Sequence, residues 1–293
     1  MPIEVHLIDG TYELFRHFYA VPSRRTESGQ EVAAVRGVLG NVIGLLEAGA
    51  THLAVATDHI IPSFRNDLWA AYKDGSEVDP EIAQQFEPLE RGLQALGIEV
   101  WPMVEFEADD ALAAGAAMAS RDDRVEKVLI CTPDKDLAQC VGAKIFQWDR
   151  RKDLIFDEDA VVQKYGVTPE SIPDYLALVG DTADGFPGLS GWGPKSSATV
   201  LHYYRSIEMI PDDAALWEVA VRGSEKLAAT LADQRDLASL FKQIATVRTD
   251  APVATNVDQL AWMGPTTAFE EFCTANRMES LLQRTWKLMA KPL

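Results

Sequence analysis

Asp134 and Asp136 stand two residues apart with Lys135 between them, in the stretch TPDKDLAQC directly behind the apolar run Val128-Leu129-Ile130-Cys131. Carboxylates gathered at the end of a buried segment repel one another by several kcal/mol at an effective dielectric of about 20 unless something positive lies among them. Two more apolar runs end in acid, Ile8-Asp9 and Ala56-Thr57-Asp58, and Glu107, Asp109 and Asp110 open the Ala-rich stretch ADDALAAGAAMA. Taken singly, such acids cap helices, where free N–H groups and the positive end of the dipole favour them. Their convergence calls for hard divalent cations with oxygen ligands, Mg2+ or Mn2+, and two ions about 4 Å apart would account for the number of carboxylates.

The elements that must position these acids follow from periodicity. Short apolar runs at Ile3 to Ile8, Leu53 to Ala56, Ile98 to Trp101, Val128 to Cys131 and Lys144 to Trp148 read as strands. Between them Val35-Val38-Leu39-Val42-Ile43-Leu46 and Ala111 to Ala119 read as helices. Strand alternating with helix is the pattern of an α/β fold, a mostly parallel central sheet covered on both faces. The carboxyl ends of parallel strands share one edge, and sites are built there.

The second half carries a different signal. Thr168-Pro169-Glu170 starts a helix whose stripe, Ile172, Tyr175, Leu176 and Val179, runs to Gly180. Asp181 and Asp184 come next, then Gly188-Leu189-Ser190-Gly191-Trp192-Gly193-Pro194-Lys195, a glycine hairpin that opens another helix. Closely spaced glycines let backbone N–H groups approach a phosphate, and the helix N-terminus that follows favours anionic charge. The phosphate loop GxxxxGK[ST] is absent.

Composition sets the bounds. With 293 residues, 47% of them hydrophobic, the chain can bury one large core or two modest ones. No apolar run reaches the roughly 18 residues of a membrane span, and MPIEVHLIDG lacks a basic n-region, so a cytoplasmic protein is expected. Cys131, Cys140 and Cys273 have no CxxC or zinc spacing and read as reduced, structural thiols. A net charge of −18, from 27 Lys+Arg against 45 Asp+Glu, argues against a module that coats nucleic acid by Coulomb attraction alone.

Five segments in one order, LIDGTYELFRHFYA, ATDHIIPSFRNDLWAAYK, EFEADDALA, TPDKDLAQC and YLALVGDTADGFPGLSGWGPKSSATVL, resemble the 5′ nucleases, or flap endonucleases, a family that includes the 5′–3′ exonuclease domain of bacterial DNA polymerase I. The resemblance runs from about Ile3 to Tyr204 and implies a stand-alone, monomeric nuclease of replication or repair. It implies a PIN-like nuclease domain over residues 1–165 and, over 166–293, a helical part with a helix-hairpin-helix and a tail. Its metal carboxylates match Asp9, Asp58, Glu107, Asp109 and Asp110 around one ion, and Asp134, Asp136, Asp181 and Asp184 around or near a second. Arg16, Arg65 and Lys73 match the residues that hold the scissile phosphate, and Tyr72 an aromatic near the displaced base. Gly188, Gly191, Gly193, Lys195 and Ser196 match the hairpin that grips duplex DNA, where backbone carbonyls recruit K+.

Two positions depart from the family's pattern. Ser76 replaces the arginine of YKxxR, with Asp74 and Glu77 beside it, and Gly185 replaces the asparagine of GDxxDN. Two other classes compete with the nuclease reading: a Mg2+ phosphohydrolase of small substrates, which would need no hairpin, and a silent DNA-binding scaffold, which would need no complete acidic set. His59 adjoins Asp58 and is read as a hydrogen-bonded bystander.

Overall fold

The computed structural model describes residues 2–290. In chain order the elements are β1 (Ile3–Asp9), α1 (Gly10–Ala20), α2 (Ala33–Glu47), β2 (His52–Asp58), the short α3 (Phe64–Leu68) and α4 (Pro80–Ala83), α5 (Phe86–Ala95), β3 (Glu99–Met103), α6 (Ala108–Ser120), β4 (Val125–Cys131), β5 (Ile145–Asp149), β6 (Leu154–Phe156), α7 (Glu158–Tyr165), α8 (Ile172–Val179), α9 (Pro194–Tyr204), α10 (Ser224–Asp233), α11 (Arg235–Ala245), α12 (Ala268–Ala275) and α13 (Glu279–Met289). They form two compact units. The first takes the chain up to Ile61, Gly75–Thr132 and everything from Arg248 onward; the second takes Pro62–Asp74 and Pro133–Val247.

The first unit is built on parallel strands in the order β3-β2-β1-β4. Val5, Leu7, Ile8 and the whole of Leu53–Ala56 are buried, as a sheet covered on both faces requires. Each strand extends the apolar run seen in the sequence by one to three residues at an end, which brings Asp9 and Asp58 into the strands themselves. The chain then turns from Asp9 straight into α1. A Cβ on Gly10 would lie 2.7 Å from the Ala56 carbonyl oxygen, so only glycine fits the turn.

The second unit pairs β5 with β6 in antiparallel fashion and is otherwise helical. β6 was not legible as a strand: it is three residues long and its side chains are largely exposed. The core gathers Leu176, Leu178, Phe186, Val200, Leu201 and Phe241. α8 and α9 are joined by the glycine hairpin, which Leu189 N–H closes onto the Leu178 carbonyl at 2.9 Å. Gly188 has φ +68, and a Cβ there would lie 2.4 Å from the Gly180 nitrogen, so the two ends of the hairpin touch through bare backbone. Cys131, Cys140 and Cys273 are free thiols, and burial pushes Cys273 up to about 12. Among the described residues no helix is long and apolar enough to cross a membrane.

Candidate metal centre and nucleic-acid interface

In the first unit the acids stand where β1, β2 and α6 meet the carboxyl edge of the sheet. Asp9 is buried; Oδ1 accepts from Tyr12 N–H at 2.8 Å, the cap of α1, and Oδ2 from the Thr132 hydroxyl at 2.8 Å. Asp58 accepts from Ala108 N–H, in the first turn of α6, at 2.7 Å, while its own N–H donates to Thr11 Oγ1 at 2.8 Å. Asp110 is fully buried and accepts from Glu107 N–H at 3.0 Å and from Arg248 N–H at 2.8 Å. Glu107 caps the same helix and is buried; Asp109 beside it is half-buried. Helix N–H groups, and for Asp9 a hydroxyl, thus hold these carboxylates in place.

In the second unit Asp136, Asp181 and Asp184 bring carboxylate oxygens within 4.8 Å of one another. Lysines meet two of them: Lys135 Nζ lies 2.5 Å from Asp181, and Lys73 Nζ 2.9 Å from Asp184. Asp136 is buried, and its Oδ1 has no hydrogen-bond partner. Burial, then the charges of Asp134, Asp184 and Asp181, push the Asp136 carboxyl well above the usual carboxylate range. Asp134 is exposed; its Oδ1 accepts from Asp136 N–H at 3.1 Å, and its carbonyl accepts from Gln147 Nε2. An all-oxygen set with one orphaned buried oxygen fits a hard divalent cation.

Two of the expected phosphate and base contacts, Arg65 and Tyr72, are buried. Arg65 is only 2% exposed, its Nε donating to the Ile244 carbonyl at 2.8 Å and Nη2 to the Thr246 carbonyl at 3.3 Å. It ties down the last carbonyls of α11 and its flank. Tyr72 is 4% exposed within the core of its unit. Arg16 lies in the first unit and donates to the buried Glu13 at 2.5 Å, a carboxylate that Asn41 also meets at 2.9 Å.

On the hairpin, Gly191 (φ +86) and Gly193 are open: a Cβ on Gly193 would meet nothing within 4 Å, and one on Gly191 only Leu227 at 3.9 Å. Gly193 caps α9, its N–H donating to Ser196 Oγ at 3.1 Å, and Lys195 is exposed in the first turn. Sequence reasoning treated Lys135 as a spacer and overlooked Thr11, Thr132 and Arg248. The threonines sit one or two residues past strand ends, a signal that was available. Arg248 contributes its backbone N–H, from 138 residues away, and no local pattern announces that.

Residues 4–166 match the family described as 5′–3′ exonuclease, N-terminal resolvase-like domain, and residues 167–268 match 5′–3′ exonuclease, C-terminal SAM fold. The chain belongs to the 5′–3′ exonuclease family. It is 34% identical over 208 residues to a 5′–3′ exonuclease of Aquifex aeolicus, covering 70% of this chain and 71% of that one. To DNA polymerase I of Pseudomonas aeruginosa it is 35% identical over 264 residues, 87% of this chain but only 28% of the polymerase. In fold it is similar to T5 5′-exonuclease with bound zinc (TM-score 0.66, 14% identity, 98% of each chain). It is similar also to the catalytic core of Rad2 in complex with DNA substrate (TM-score 0.64, 16% identity, 98% of this chain and 92% of that one).

Proposed function

We propose that the chain is a structure-specific 5′–3′ exonuclease and flap endonuclease that hydrolyses DNA phosphodiesters with two or more divalent ions, Mg2+ or Mn2+, in replication or repair. The observation that carries the reading is the triad Asp136, Asp181 and Asp184, with its orphaned oxygen, in the same unit as an open glycine hairpin. A small-substrate phosphohydrolase has no use for the hairpin, and a silent scaffold has no use for a buried acid kept without a partner.

Asp9, Asp58, Glu107, Asp109 and Asp110 would hold one ion, and Asp136, Asp181 and Asp184, with Asp134 near, the other. Bound divalent ions supply a nucleophilic hydroxide near neutral pH and stabilise the attacking and leaving oxygens of an in-line displacement. Lys73 and Arg16 would turn from their carboxylate partners to the equatorial oxygens of the scissile phosphate, where their charge offsets what gathers in the transition state. Lys195, Ser196 and the N–H groups around Gly188, Gly191 and Gly193 would take a backbone phosphate of the duplex. We place K+ at the hairpin carbonyls. Residues 1–165 would carry the chemistry and 166–293 the duplex grip, with Asp181 and Asp184 among the metal ligands, in a cytoplasmic monomer.

The test is cleavage of 5′-labelled flap, nicked and single-stranded DNA with Mg2+ and with EDTA. Cleavage restricted to Mg2+ and favouring duplex-containing substrates is expected; cleavage in EDTA, or of small phosphate esters alone, would overturn the reading. With Ser76 in place of an arginine and acids beside it, capture of free single strands is weak, and Ser76→Arg is expected to improve long-flap cleavage chiefly through KM.

A further inference from the structure

Glu13 on α1 is a buried carboxylate, 3% exposed, that belongs to neither metal-holding group. Its Oε2 accepts from Arg16 Nη2 at 2.5 Å and from Asn41 Nδ2 of α2 at 2.9 Å. The same two nitrogens meet His17 Nε2, at 3.0 and 2.9 Å, and Nε2 lies 3.5 Å from Oε2 across the middle. A guanidinium nitrogen and an amide nitrogen donate and do not accept. Nε2 is therefore the acceptor of both, and the neutral ring carries its hydrogen on Nδ1. Asn41 turns its nitrogen inward because its oxygen would stand against the carboxylate. α2 closes over the ring: a Cβ on Gly37 would lie 2.4 Å from His17 Nδ1, which is buried with no hydrogen-bond partner among the described residues.

The guanidinium is held here by Nη2. Its Nε is buried with no partner among the described residues, and the side chain is 29% exposed. Once Arg16 turns to a phosphate, Oε2 and Nε2 each lose a donor and remain as two acceptors 3.5 Å apart. The buried carboxylate also loses the cation at 2.5 Å, and removing one partner of a buried ion pair is costly. One proton on Nε2 answers both losses, since an imidazolium donates to Oε2 and restores a positive charge beside it. The other charged groups of the elements packed on α1 meet other partners. Arg36 of α2 donates to Ser280 Oγ at 3.1 Å, and Glu47 of α2 pairs with Arg284 at 2.6 Å. Glu81 of α4 pairs with Arg25 at 2.6 Å, and Asp58 of β2 accepts from Ala108 N–H at 2.7 Å.

We propose that Glu13 and His17 are positioning residues that hold Arg16 before substrate arrives, and that its transfer to a substrate phosphate is matched by uptake of a proton at His17. The inference rests on the nuclease reading above and deepens it. The guanidinium keeps its protons throughout; the added proton comes from solvent, sits on Nε2 and leaves again when Arg16 returns. Because the complex holds a proton that the free protein lacks, substrate capture weakens as pH rises through the imidazole range, and the coupling is reciprocal.

The test uses the whole chain and a nicked duplex, with Ca2+ saturating before the DNA is added. Calorimetry at about pH 7 in buffers of different ionisation heat counts the protons taken up, and steady-state cleavage in Mg2+ gives KM and kcat between about pH 6 and 8. The wild type is expected to show a net uptake, up to about one proton per duplex, and a KM that rises with pH by up to about ten-fold per unit. His17→Gln keeps a neutral acceptor and should lose the uptake and the rise, the difference lying in KM rather than kcat. Glu13→Gln leaves no buried charge to balance and should lose both as well. Either variant with the uptake and pH dependence of the wild type overturns the proposal, and so does a wild type that binds with no uptake. A wild type that binds but does not cut in Mg2+ overturns the nuclease reading instead, and the proton count in Ca2+ then still decides the role of His17. A wild type that does not bind the duplex overturns both.

Discussion

In the first unit Asp9, Asp58 and Asp110 are met by backbone N–H groups, and Asp9 also by a hydroxyl. In the second, Asp181 and Asp184 are met by lysine ammonium groups, and Asp136 keeps a buried oxygen with no partner. Ammonium groups enter in the second, where Asp181 also accepts from Ala183 N–H at 3.0 Å. Dipoles at helix starts fix a carboxylate in place. Ammonium groups cancel charge but hold it on flexible stems that another cation can displace. The first group is therefore organised in advance, while the second is strained in the metal-free protein and stands to gain most from an ion.

The largest expected effect removes a ligand from either group. Asp110→Asn and Asp181→Asn should each lower kcat by about two orders of magnitude or more, with circular dichroism unchanged. If one retains full activity, the comparison breaks at that group. Next comes Thr132→Val, which deletes the hydroxyl that meets Asp9 and keeps the volume. A buried hydrogen bond to a charged acceptor contributes about 1.5–3 kcal/mol, so urea unfolding should register a loss of that order. A loss near zero would mean that Asp9 does not depend on its neutral donors.

Lys135→Met probes the other group. Its ammonium is partly exposed, so the pair with Asp181 is screened, and the metal-free protein should lose only about 1 kcal/mol. Added Mg2+ should recover most of it, since the ion takes over the ammonium's role; a deficit that persists in saturating Mg2+ would show that the lysine is structural. The smallest effect has the opposite sign. Because the Asp136 carboxyl is raised by burial and by its acidic neighbours, the folded chain holds a proton that the unfolded chain has already released. Metal-free stability should thus fall as pH rises from the ordinary carboxylate range through the folded value, and below that range Asp136 contributes nothing. Asp136→Asn should flatten this fall and raise the metal-free melting temperature above the ordinary carboxylate range, each kcal/mol being worth about 2–4 °C in a chain of this size. A melting temperature that drops would show that the carboxylate is not strained.

Much of this was legible in the sequence because one physical pattern repeats. Apolar runs ending in acid gave β1, β2 and β4 and the acids beside them, and Gly180, the glycine cluster and Pro194 gave the hairpin between α8 and α9. What was not legible depends on partners distant in the chain. Arg65 bonds the carbonyls of Ile244 and Thr246, 179 and 181 residues on, and no local pattern announces that. Tyr72 reads as an aromatic beside a lysine, and only the packing of Phe186, Trp192 and their neighbours makes it core. His59 is hydrogen-bonded as expected, but its partner Glu90 lies 31 residues on and no local pattern announces it.

The central claim is that the two groups of acids hold separate ions, and a titration of Mn2+ into the metal-free protein, counted by electron paramagnetic resonance, tests it most directly. About two ions per chain are expected in the wild type, with Asp110→Asn and Asp181→Asn each losing a different one and the Asp110→Asn, Asp181→Asn double variant losing both. If the two single variants lose the same ion, so that the double variant binds as many as either alone, the acids form one site and the account is contradicted.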